Sequence, residues 1–194
     1  MQRPWATSLF FSFLLSFALN LEDAWTSDPA IRPPGEPPAV ACHFESSVIQ
    51  LAHRPQIPAR EWYLWRQSDR IETRETTGET GEVWQLGKDG QISYRRVFHK
   101  EKQVIEYTPG DLCALRKYPD WSKLVSMIDP TFLKDRLKPG GTVETLGRSA
   151  RRYQGQVEGV DFEVLWLEAE QLPALVRQVY PDRVVMLRLQ GTYP

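Results

Sequence analysis

Apolar and polar positions alternate along most of this 194-residue chain, and one segment breaks the rule. Over 120–137 (DWSKLVSMIDPTFLKDRL) the apolar residues recur at helical spacing, with Trp121, Leu124, Val125 and Ile128 at i, i+3, i+4 and i+7. Asp120 is placed to cap the first turn. Asp129-Pro130 restarts the helix with an N-cap acid and a proline at the first helical position, where a missing N–H costs nothing. Phe132, Leu133 and Leu137 carry the stripe onward. An apolar stripe has to be buried, and the concave face of a sheet is the partner the flanking strands provide.

Ahead of that helix the alternation predicts strands over 39–51, 61–67, 70–75, 83–86, 91–98 and 103–107. Arg70, Glu72 and Arg74 oppose Ile71 and Thr73, the period-2 pattern of a half-solvated antiparallel strand. Lys88-Asp89-Gly90 supplies a tight hairpin turn, and Asp111 is a candidate cap for a short helical turn. After Pro139-Gly140-Gly141, which breaks the pattern, strands resume over 142–146, 149–157, 161–167, 175–179 and 184–189. The strand 161–167 (DFEVLWL) is apolar on both faces, so both must be covered. The fold class this predicts is mainly β (α+β): about ten strands in meander order, with one helical insertion after the sixth. Such a curved antiparallel sheet, or unclosed β-barrel, holds the helix on its concave face.

The N-terminus changes the picture of where this domain works. Arg3 precedes an apolar run over 9–19, and Ser16-Phe17-Ala18 offers small residues at the −3 and −1 positions of a cleavage site. Spanning a bilayer takes about 20 apolar residues, and this run is shorter. Residues 1–18 are therefore expected to be a signal peptide, whose removal takes Arg3 and moves the formal charge from −1 to −2. Pro29, Pro33, Pro34, Pro37 and Pro38 make 19–38 a proline-rich linker that can form neither helix nor interior strand. The folded domain is then 39–194, exported, and periplasmic if the source is Gram-negative. Two cysteines in an oxidising compartment point to a Cys42–Cys113 disulfide, worth about 4 kcal/mol in the chain-entropy model. The rival reading is lipidation of Cys42 in Ala39-Val40-Ala41-Cys42, against which the long linker argues.

Candidate chemistry is sparse. The near-neutral charge offers no basic patch for nucleic acid. His43, His53 and His99 have no metal-ligand spacing, no serine sits in a G-x-S-x-G elbow, and no cofactor motif is present. Glu61, Glu72, Glu82, Glu106 and Glu163 lie on strands and are expected to face water. The positive signal is aromatic. Beyond Trp25, the residues Trp62, Trp65, Trp84, Trp121 and Trp166 fall in predicted elements, joined by Tyr63, Tyr94, Phe98, Tyr107, Phe132 and Phe162. These rings either fill the core or line an apolar cavity between sheet and helix. Likewise Arg66, Arg70, Arg74, Arg95, Arg96, Arg151 and Arg152 form either a solvated sheet face or a protein-docking surface.

The layout resembles the periplasmic lipoprotein-localisation carriers, the LolA/LolB-like superfamily. The resemblance rests on a tryptophan-bearing strand (164–167), a short polar turn, Leu172-Pro173 and the next strand at 175–179. The strands 91–98 and 103–107, followed by Asp111-Leu112, add to it. It implies a half-open barrel whose helices lid an apolar cavity. The resulting expectation is a non-catalytic binder of a lipid, acyl chain or other apolar ligand, with transient membrane contact and no cofactor. The candidate lining is Trp62, Leu64, Tyr94, Phe98 and Trp166 from the sheet, with Trp121, Leu124, Val125, Ile128 and Phe132 from the helix. The alternative is a cell-envelope scaffold or adaptor whose arginine-rich sheet face binds a protein partner.

Overall fold

A computed structural model describes residues 37–51 and 55–193 of the chain. The expected signal peptide and nearly all of the linker lie outside them. The strands are β1 (Val40–Gln50), β2 (Ile57–Arg66), β3 (Arg70–Glu75), β4 (Thr80–Leu86), β5 (Ile92–Phe98), β6 (Gln103–Tyr107), β7 (Lys138–Thr145), β8 (Arg148–Val157), β9 (Val160–Leu167), β10 (Leu172–Val179) and β11 (Arg183–Tyr193). Three short helices follow β6: α1 (Pro109–Ala114), α2 (Trp121–Ser126) and α3 (Pro130–Arg136).

The strands form one antiparallel sheet in the order β6-β5-β4-β3-β2-β1-β11-β10-β9-β8-β7. Two meanders are joined where the first strand pairs with the last. Each end of the order is an edge strand, so the sheet is an unclosed barrel with the helical insertion arising between its two edges. The architecture is the half-open barrel that the resemblance implies.

The insertion is not one helix. Its stripe divides at Met127, whose left-handed backbone (φ 60°) ends α2. Asp129 then starts α3 as the sequence requires, its side chain accepting from Thr131 N–H at 2.9 Å. Asp120 caps α2 in the same way, from Ser122 N–H at 2.8 Å. Asp111 is not the cap of α1; Thr108 is, and the two side chains make a reciprocal capping box. Pro139-Gly140-Gly141 does not break the sheet either. It lies within β7, an edge strand with a register shift between Pro139 and Thr142, the setting in which a sheet tolerates proline.

Two contacts put the helices on the concave side. Phe132 of α3 meets Phe162 of β9 edge-on, with ring centroids 5.1 Å apart. At Gly155 of β8 an added Cβ would lie 3.1 Å from a Leu137 methyl and 3.3 Å from the Arg136 carbonyl. A side chain there would push the end of α3 off the sheet. At the other edge α1 packs on β5 and β6 and buries Leu112.

The expected disulfide is absent: Cys42 is a buried free thiol and Cys113 an exposed one. Cys42 lies in β1 at the centre of the sheet, while Cys113 sits on α1 above β5 and β6. Four strand spacings of about 4.8 Å separate β1 from β5 along the sheet, against the roughly 6 Å between Cα atoms that a disulfide needs. Burial pushes the Cys42 thiol up to about 11, so it stays protonated.

Candidate functional site

Cross-strand register resolves the concave face of the first meander into three rows. The first is Arg66, Ile71, Trp84, Tyr94 and Tyr107, each paired with the next. The second is Cys42, Leu64, Thr73, Glu82, Arg96 and Ile105. The third brings Phe44 against Trp62 and Glu75, with Thr80 against Phe98. Period-2 geometry makes every member of a row face the same way. The rings stack along the rows: Phe44 on Trp62 at 5.1 Å, Trp84 on Tyr94 at 4.2 Å, and Tyr94 on Tyr107 at 5.3 Å between centroids.

On these rows Trp62, Leu64 and Tyr94 are buried, while Phe98 is half-buried beneath the Arg96 guanidinium at 5.1 Å. Trp166 is buried on the concave side of the second meander, in register with Pro173 and Arg151. Of the helical candidates, Val125, Ile128 and Phe132 are buried in the same core, and Trp121 and Leu124 pack against it half-covered. Tyr107, Tyr118, Leu86, Val143 and Phe162 share that half-covered state. The structure thus brings nine of the ten candidates into or against one apolar cluster; Phe98 stands apart at its polar margin.

Three residues of this face escaped the sequence reading. Arg66, expected on a solvated surface, is 1% exposed and is the largest fully buried side chain. Its Nε and Nη2 donate to the Pro38 carbonyl at 3.1 and 2.9 Å, and Nη1 donates to Val125 at 2.6 Å and Gln171 at 3.1 Å. Nη2 also donates to the Glu170 carbonyl. One guanidinium therefore fastens the end of α2, the β9–β10 turn and the entry to β1. Burial pulls its pKa down to about 10, and it remains a cation.

Glu82, expected to face water, is 3% exposed. Burial raises its carboxyl to about 7, against the opposing influence of the Tyr94 hydroxyl and Arg96. Thr73, its cross-strand partner, is equally buried. The signal for Glu82 was present in the register, because period 2 places it on the same side as Trp84.

The other carboxylates do not converge. Glu72 pairs with Arg70 at 2.7 Å and Glu106 with Arg95 at 2.6 Å, both out on the convex face. Glu163 pairs with Arg152 at 3.2 Å, and Glu61 meets His43 at 3.2 Å. Among the described residues no three His, Cys, Asp or Glu side chains are grouped to hold a metal ion.

The fold is an unclosed antiparallel barrel whose concave face is met by a helical insertion. No family model and no curated protein matches the sequence. Among solved structures, the chain is similar to the Pseudomonas aeruginosa MucA/MucB complex at 13% identity and a TM-score of 0.42, over 80% of this chain and 51% of that one. It is similar to a putative outer membrane lipoprotein-sorting protein domain from Vibrio parahaemolyticus at 9% identity and a TM-score of 0.34, over 82% and 86% of the two chains. PNGF-II gives 12% identity and a TM-score of 0.41, over 80% of this chain. The chain thus spans about half of the matched MucA/MucB chain and 28% of PNGF-II.

Proposed function

We propose that this is an exported, non-catalytic binding protein that holds a lipid, acyl chain or similar apolar group between its concave sheet face and the helical insertion. The observation that carries the reading is a set of apolar side chains left half-covered at the margin of the concave core. Trp121 and Leu124 on α2, with Tyr107, Leu86 and Phe162 on the sheet, belong to the core without being enclosed by it. Apolar surface of this kind, rimmed by a core and lidded by short helices, suits an aliphatic chain. The N-terminal segment supports export, and its proline-rich continuation supports a spacer role.

Native mass spectrometry of the protein purified from an exporting host tests this. Co-purifying lipid is the expected result, with occupancy falling several-fold in Leu124→Ser and Trp121→Ala. Lipid-free protein that takes up no monoolein or oleate would remove the reading.

A second reading has its own observation. On the convex face Tyr63 lies 5.7 Å from Trp65 and 6.1 Å from Tyr193 between ring centroids, and the latter two are large exposed aromatics. This ladder, rather than the arginines, would be the adaptor surface. Arg66 is buried, and Arg70, Arg95 and Arg152 are paired with carboxylates of their own sheet.

A further inference from the structure

We propose that Thr73 and Glu82 form a hydrogen-bonding seat for a neutral polar group, a hydroxyl or an amide, at the end of the apolar ligand. This rests on the reading of the concave face as an apolar binding site, and it names the chemical class of what binds there.

The two residues are directly opposed on β3 and β4. Side chains so placed have their Cβ atoms about 5 Å apart and face the same way. Both are almost wholly buried, at 1% and 3% exposure. The Tyr94 hydroxyl reaches the Glu82 carboxyl, yet Thr73 Oγ1 and Glu82 Oε1 have no hydrogen-bond partner of their own within the chain. Buried polar atoms are almost always satisfied, and an unsatisfied one costs about 1–3 kcal/mol. Two such atoms on one cross-strand pair mark a place where a third group belongs.

The surroundings give that group its character. Leu64 precedes Thr73 in the row, Trp84 and Tyr94 lie in the row on one side, and Trp62 and Phe98 lie in the row on the other. These supply the apolar approach. The groups that bear on the Glu82 charge are the Tyr94 hydroxyl, the Arg96 guanidinium opposite it on β5, and the Glu75 carboxylate. A ligand carboxylate would set the repulsion of Glu82 and Glu75 against the attraction of Arg96, and a ligand cation would meet the reverse. A hydroxyl or amide meets neither penalty. It can donate to Glu82 or Thr73 and accept from the Thr73 hydroxyl.

Binding of monoolein and of oleate, below their aggregation limits, to the full chain tests the seat by native mass spectrometry or titration calorimetry. Monoolein should bind at least about tenfold more tightly than oleate. Thr73→Val should weaken monoolein by about tenfold while leaving oleate unchanged, and Thr73→Ser should restore it. Glu82→Gln, which keeps hydrogen-bonding capacity and removes the charge, should narrow the preference over oleate. Equal binding of both ligands, with Thr73→Val unchanged, would overturn the seat and leave the apolar site standing. That outcome would assign the two oxygens to buried water. Failure of both ligands to bind would overturn the binding reading and the seat together.

Discussion

The two flanks of the sheet cover the same concavity with different side chains. On β8 to β11 the inward positions are Tyr153, Val164, Trp166, Val176, Leu187 and Leu189, and Gln178 is the buried polar exception, accepting from the Tyr180 hydroxyl at 3.0 Å. On β2 to β5 the inward positions include Arg66, Thr73, Glu82 and Arg96 among the aromatic rings. The first arrangement is that of a core. The second is a local violation of the rule that charge stays outside, and such violations are retained where they serve an architecture or a site. Arg66 serves the architecture, because every group it holds is a backbone carbonyl. Glu82 meets only the Tyr94 hydroxyl, and its Oε1 and the Thr73 hydroxyl are left without a partner, which is why the proposed binding seat lies on this flank.

If that division is right, the largest effect belongs to Arg66. Arg66→Ala strands the buried Val125 carbonyl and leaves those of Pro38, Glu170 and Gln171 to partial solvation, and should cost about 3 kcal/mol in urea unfolding. Arg66→Lys should recover only part of this, since an ammonium cannot reach three segments at once. A loss below about 1 kcal/mol would mean that the insertion is held by its apolar contacts alone.

Next comes the pH dependence set by Glu82. Its carboxyl titrates near 7 in the fold and at its ordinary 4.5 when unfolded. The folded state therefore holds the proton longer, and stability falls as pH rises from about 4.5 through about 7. The full difference is on the order of 3 kcal/mol. Glu82→Gln should flatten the fall in Tm between these limits. A matched substitution on the other flank, Gln178→Leu, should leave the slope of the wild type in place.

How much of this was legible beforehand follows the same division. The second flank could be read strand by strand, because Val164, Leu165, Trp166 and Leu167 announce a strand covered on both faces, and all four are buried. The placement of the insertion after the sixth strand was also legible, whereas the half-open barrel was what the family resemblance implied, and the pairing of the first strand with the last was not legible at all. What periodicity could not give was the inward direction of charge. Glu82 and Arg66 look like surface residues until register places them beside Trp84 and Ile71. Nor could it give the break at Met127, where the stripe continues without interruption while the backbone turns left-handed. The disulfide failed for another reason: an even cysteine count constrains pairing only when the fold brings the two together.

A smaller effect is expected at α3. Burial acts against the Asp129 carboxylate, but hydrogen bonds from Thr131 and Lys123 outweigh it and hold its carboxyl below the usual range. Asp129→Ala removes the cap and should cost about 1 kcal/mol. Because α3 rests on the second flank through Phe132 and Gly155, the loss should appear as faster amide exchange in α3 and β8, with β3 and β4 unaffected.

The smallest effect sharpens the comparison most cheaply. Cys113 is exposed on α1, and Cys42 is buried where the flanks meet. A bond between them would have tied the insertion to the seam, and its removal would cost about 4 kcal/mol. With both thiols free, Cys113→Ser changes a surface group and should shift stability by less than about 0.5 kcal/mol, with or without reductant. Cys42→Ser is a different experiment, because it places a buried hydroxyl beside Leu64 and should cost about 2 kcal/mol. Unequal responses of the two cysteines would show that the seam is held by packing and by Arg66. Equal large losses, abolished by reductant, would show a covalent tie and return the insertion to a fixed lid.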